Sequence, residues 1–114
     1  MARIPVVRIL VVEDDTSQLD IRKQILEHAG FEVVTAQDAA EALERWEGCP
    51  VVVMDLRIPE LEDGARLIQA IAGKARIIVL SGGQVDAALP VDEVLTKPCP
   101  SRRLIESIEK WTSA

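Results

Sequence analysis

A chain of 114 residues, 48% apolar and 28% charged, is long enough to close a hydrophobic core without disulfide or metal staples. Its net charge of −6 and three scattered aromatics, Phe31, Trp46 and Trp111, exclude a phosphate-gripping or base-stacking surface, so no nucleic acid is expected as partner. No apolar run reaches the length of a membrane span and the N-terminus lacks the apolar stretch of a secretory signal, so no membrane contact and a cytoplasmic location are expected.

In chain order, Val6 to Val12 predicts a first strand that runs into Glu13-Asp14-Asp15. Thr16 to Ala29 predicts a helix, with Asp15 or Thr16 as N-cap, Gly30 as stop, and Ile21, Ile25, Leu26 and Ala29 as its apolar stripe. Glu32 to Thr35 predicts a second strand. Asp38 with Glu41 makes a capping-box start to a helix carrying Leu43 and Trp46 and ending near Gly48. The run Val51-Val52-Val53-Met54-Asp55 is apolar on both faces, as a central strand covered on two sides must be, and ends in a carboxylate before the Pro59 loop. A third helix carries Leu67, Ile68 and Ile71 and stops at Gly73. Ile77 to Leu80 predicts a fourth strand ending in Ser81-Gly82, and Val94-Leu95-Thr96 a fifth ending in Lys97-Pro98. Ser101 is placed as the cap of a last helix with Leu104, Ile105, Ile108 and Trp111 on one face.

Alternating strands and helices specify right-handed βαβ units and a parallel sheet. Five strands fit the α/β, flavodoxin-like, doubly wound order 2-1-3-4-5, in which Asp14 and Asp55 face each other across the switch-point crevice. Cys49 and Cys99 fall at opposite edges of such a sheet, so no disulfide is expected, and with His28 they match no zinc spacing.

Glu13, Asp14 and Asp55 crowded together repel unless a cation intervenes. Oxygen ligands that leave room for water suit Mg²⁺, which takes one or two carboxylates plus phosphate oxygens. With Lys97 and the Ser81 hydroxyl opposite, the site is built for a phosphoryl group, and a carboxylate in it can accept one.

The runs Ile9-Leu-Val-Val-Glu-Asp-Asp15, Val53-Met-Asp-Leu56 with Pro59, Leu80-Ser-Gly82 and Thr96-Lys-Pro98 together resemble the receiver domain of two-component response regulators, over essentially the whole chain. The resemblance implies one receiver domain over residues 1–114 and a role as phosphoacceptor signalling domain rather than enzyme, assisting its own phosphorylation and dephosphorylation. Asp55 would be the phosphoacceptor, and Leu56, Arg57 and Gly82 would line the phosphoryl group. Asp14, Asp55 and the Arg57 carbonyl would ligate Mg²⁺, with Glu13 holding it mainly through water. Lys97 would pair with the acids at rest and with the phosphoryl oxygen afterwards, and Ser81 would be the switch hydroxyl. Lys97-Pro98 is the peptide bond expected to be cis. The donor would be a sensor histidine kinase or a histidine phosphotransfer protein, and the output protein is unknown.

The chain departs from the family's usual pattern in three places. Val94 stands where the family usually has Tyr or Phe. Gly82 to Val91 leaves about ten residues, with two glycines and Pro90, where the family has a full helix, so that helix is expected to be shortened or missing. The loop from Pro59 to Gly64 is one residue longer than usual. Two further readings stand beside the leading one. One is a pseudo-receiver, an interaction module that is not phosphorylated. The other is a hydrolase working through an aspartyl phosphate, against which Arg57 stands where such enzymes want a second acid. A flavin or nucleotide binder lacks its glycine-rich loop after the first strand.

Overall fold

Strand and helix alternate, with one break, along residues 6–112, the part of the chain that this computed structural model describes. The elements are β1 (Arg8–Val12), α1 (Thr16–His28), β2 (Glu32–Ala36), α2 (Ala39–Arg45), β3 (Val51–Asp55), α3 (Leu61–Ile71), β4 (Arg76–Ser81), β5 (Glu93–Thr96) and α4 (Ser101–Thr112). All strand pairs are parallel, in the order β2-β1-β3-β4-β5, as the alternation requires. The predicted first strand is trimmed at its start. Val6 is 64% exposed, and the ladder begins with Arg8 opposite Glu32.

The three inner strands are apolar on both sides because helices cover both faces. Leu10, Val12, Val52, Met54, Ile77 and Val79 pack with Ala42 of α2 and Leu67, Ile68 and Ile71 of α3. On the opposite face Ile9, Val11, Val51, Val53, Ile78 and Leu80 pack with Leu19 and Leu26 of α1 and Leu104 and Ile108 of α4. Each such fully buried side chain contributes about 1.5–3 kcal/mol, which fixes the sheet and with it the positions of the strand ends.

Helix starts follow the caps read from the sequence, with one correction. Asp15 caps α1, accepting from the Ser17 and Gln18 amides at 2.9 and 3.2 Å. Asp38 accepts the Glu41 amide at 2.8 Å while the Glu41 carboxylate takes the Gln37 amide, the reciprocal pattern of a capping box shifted by one residue. Ser101 does not cap α4. It is the first helical residue, and the Pro100 carbonyl receives the Arg103 and Leu104 amides. Pro98 and Pro100 disfavour helical backbone at Lys97 and Cys99, the residues just before them, which sets the start past Pro100.

The stripe expected on α1 is also corrected. Leu19 and Leu26 are buried, whereas Ile21 is 51% exposed and Ala29 is exposed. The inner face runs through positions 19, 22 and 26, and position 22 is an arginine. A charged residue there breaks the apolar periodicity, so the pattern rotates toward the wrong face.

The helix between the fourth and fifth strands is missing, as expected. Gly82 to Asp92 crosses as coil, and Val85, Leu89 and Val91 lean onto the core where a helix would lie. Val94 is left 41% exposed.

Gly64 of α3 is pressed against the chain just past β3. A Cβ at that position would lie 2.0 Å from the Leu56 carbonyl oxygen and 2.8 Å from its carbon. Backbone atoms cannot swing aside, so Gly64→Ala must push α3 off the strand end that carries Asp55. We expect this substitution to lower stability by about 2 kcal/mol in urea denaturation. An unchanged midpoint would mean that α3 can shift to admit a Cβ at this position without loss of packing.

Candidate functional site at the C-terminal edge of the sheet

Register brings the site together. Val12 lies opposite Met54, Asp55 opposite Leu80, and Ser81 opposite Thr96. The residues that follow β1, β4 and β5 therefore emerge around Asp55, at the edge where open α/β sheets hold ligands. Asp14, Asp55, Arg57, Ser81, Gly82 and Lys97 share one open pocket of ≈ 550 Å³, with Leu56 also in its wall.

Asp55 accepts a hydrogen bond from the Lys97 ammonium through Oδ2 and one from the Arg57 amide through Oδ1 at 3.3 Å. Burial pushes its carboxyl up, but the Lys97 hydrogen bond and charge and the Arg57 amide outweigh burial and hold it below the usual carboxylate range. It is thus anionic at neutral pH and only partly covered, its side chain 16% exposed. The Lys97 backbone amide donates to the Ser81 carbonyl at 2.8 Å, which locks the lysine to the end of β4. The Lys97-Pro98 bond is cis, as expected, and so is Ile58-Pro59. The Ser81 hydroxyl donates to the Gly83 carbonyl at 3.0 Å and accepts the Gly83 amide at 3.2 Å, so it ties down the start of the coil. Asp14 is exposed at the pocket wall, and Asp15 is committed to its cap.

Glu13 stands beside Asp55, with its carboxylate also turned toward α1. It is buried, and it lines a second hollow of ≈ 670 Å³ on the α1 side together with Arg22, Lys97 and Cys99. Its Oε2 receives Arg22 at 2.9 Å and its Oε1 the Asp15 amide at 3.4 Å. Burial pushes the Glu13 carboxyl above its ordinary value, against the pull of Arg22, and the neighbouring Asp55 charge adds to the rise. Both cysteines are free thiols, Cys49 buried in the α2–α3 layer and Cys99 beside the α1–α4 layer, so they sit on opposite faces of the sheet. Among the described residues no three His, Cys, Asp or Glu side chains converge on a common point. Asp14 and Asp55 line the pocket, and Glu13 reaches Asp55 from the α1 side.

Two residues escaped the sequence reading. Arg22 left a trace, an arginine at helical spacing between Leu19 and Leu26. Glu93, which opens β5 and accepts from Ser107, Trp111 and Arg103, left only an acid at the head of a short apolar run.

A doubly wound parallel sheet whose acids and lysine meet at the switch point defines the class, a receiver-like α/β domain. The chain belongs to the response regulator receiver domain family, whose sequence profile matches residues 9–109. It is 35% identical to the chemotaxis protein CheY of Bacillus subtilis (strain 168), over 90% of this chain and 95% of that protein. It is 30% identical to the transcriptional regulatory protein CpxR homolog of Haemophilus influenzae, over 90% of this chain but only 48% of that longer protein. The crystal structure of a CheY-like receiver domain protein from Methanospirillum hungatei JF-1 superposes with a TM-score of 0.82 at 31% identity, covering 93% of each chain. No helix among the described residues is long and apolar enough to cross a membrane.

Proposed function

We propose that residues 1–114 act as one phosphoacceptor unit that takes a phosphoryl group from a phosphohistidine onto Asp55. The observation that carries this is the Lys97–Asp55 ion pair standing in an open pocket with Asp14 and the Ser81 hydroxyl. A carboxylate oxygen of Asp55 would attack phosphorus as the P–N bond breaks, and the bonding pair would leave with the imidazole nitrogen, which takes up a proton. Lys97 would then turn from the carboxylate to a phosphoryl oxygen, and Ser81 with the Gly82 amide would hold another.

The donor set suits Mg²⁺, with two carboxylates, a backbone carbonyl at Arg57 and an open side for water and phosphate oxygens. When bound, the ion neutralises charge that builds on the transferring group. Asp14 and Asp55 would hold it directly, and Glu13 would act through water. The proposed donors are sensor histidine kinases or histidine phosphotransfer proteins in the cytoplasm. Because no helix follows β4, the output surface is proposed to include the coil from Gly82 to Pro90, tied to the pocket by Ser81.

Incubation of the protein with acetyl phosphate and Mg²⁺ is expected to add one phosphoryl mass. Asp55→Asn should abolish it, and the labelled protein should show altered amide exchange across Gly82–Pro90. A missing mass gain in the wild-type protein would sink the proposal in favour of an unphosphorylated interaction module.

A further inference from the structure

Arg22 has no part in the chemistry above, yet it sits beside that chemistry. Its side chain is 12% exposed and that of Glu13 5%, so their ion pair at 2.9 Å is almost dry. An arginine here interrupts the inner face of α1 between Leu19 and Leu26, where an apolar residue would complete the packing. Replacing such buried pairs with apolar residues is often neutral or stabilising, so stability alone does not account for it. What the pair does accomplish is geometric. Both oxygens of Glu13 are engaged, one by Arg22 and one by the Asp15 amide, while the carboxylate itself stays beside Asp55.

We infer that Arg22 is a positioning residue that fixes the Glu13 carboxylate beside Asp55, cancels its charge at the divalent-ion site, and so keeps ion affinity lower than three uncompensated acids would give. This rests on the proposed metal-assisted reading of the pocket. With Arg22 and Lys97 each matched to one acid, Asp14 alone carries uncompensated charge toward an arriving ion. Without Arg22, Glu13 adds a second negative charge at short range.

The test is calorimetric titration of the full chain with MgCl₂, and with MnCl₂ as a second probe, without any phosphoryl donor. Arg22→Met, which suits the apolar face, and Arg22→Gln are expected to bind either ion about three- to tenfold more tightly than wild type, the scale of one added unit charge near a divalent ion in a largely solvated site. Arg22→Lys should bring the affinity back to that of wild type. In a Glu13→Gln background the gain from Arg22→Met should largely vanish, because the effect runs through that carboxylate. Melting curves identify which of the Met and Gln variants folds, and either one suffices. Unchanged or weaker binding in the folded variant, no restoration by lysine, or a gain that persists in full without Glu13 overturns the inference while leaving the phosphoacceptor reading in place. Failure of wild type and variants alike to bind either ion overturns the metal-assisted reading, and the inference with it.

Discussion

Lys97→Ala is expected to slow phosphoryl uptake from acetyl phosphate by about 10²–10³-fold, the usual cost of removing one preorganised donor from where transition-state charge develops. The residue is aimed at that position before any donor arrives. Its ammonium already touches Asp55 Oδ2, and its backbone is fixed by the hydrogen bond from its amide to Ser81. As the carboxylate oxygen becomes part of a bond to phosphorus, the negative charge moves outward onto the transferring group, and the ammonium need travel only a short way to follow it. The fold should survive. The ammonium is on a side chain 35% exposed, and the Lys97–Ser81 hydrogen bond that continues the β4–β5 ladder is made by backbone atoms alone. Loss of the lysine also leaves Asp55 beside Glu13 without its main counter-charge, so Mg²⁺ should bind more tightly even as the rate falls. Time-resolved mass measurement at saturating Mg²⁺ separates the two effects. A rate within a few-fold of wild type would show that Lys97 is a resting partner of Asp55 and nothing more.

The strands were legible because three of them lie between two helical layers, so a run such as Val51 to Met54 has to be apolar at every position. Five such runs alternating with helices fit the doubly wound order 2-1-3-4-5, and that order puts Asp14, Asp55, Ser81 and Lys97 at one edge. The missing helix was legible too, from Gly82, Gly83 and Pro90, although the way Val85, Leu89 and Val91 cover the core was not, since no period marks a coil. The illegible part has one physical root. Buried charges declare themselves only through partners distant in sequence. Arg22 looks like a solvated helix residue until Glu13, nine positions earlier, is seen against it, and that single pairing misplaced the α1 stripe. Trp111 was read as one more apolar residue of the α4 stripe, whereas its indole N–H is spent on Glu93, eighteen positions away.

Glu93→Ala is expected to lower stability by about 3 kcal/mol near neutral pH, the order observed when a largely buried, multiply bonded charge is removed and its donors are left behind. Glu93 accepts from the Ser107 hydroxyl at 2.6 Å, the Trp111 indole at 2.9 Å and Arg103 at 2.9 Å, with the Lys110 ammonium 3.7 Å away. Arg103 and Lys110 reach it from solvent and contribute little. Ser107 is fully buried, so without Glu93 its hydroxyl has no water to turn to and can fall back only on a carbonyl of its own helix. The network matters here because β5 is an edge strand with no helix leading into it, so α4 must be fastened to it by side chains. Burial pushes the Glu93 carboxyl up, but the hydroxyl, indole and guanidinium bonds and the Lys110 charge together bring it from an ordinary 4.5 down to about 2. A lowered folded value means that the unfolded chain takes up the proton first as acid is added. The contribution is therefore complete above about pH 4.5 and drains away as pH falls from there through about 2. Urea denaturation of wild type and Glu93→Ala should show a wide gap near neutral pH that narrows steadily toward pH 2. A gap of constant width would mean that the ionised carboxylate is not the source, and that α4 is held to β5 by the apolar contacts of Leu104 and Ile108 alone.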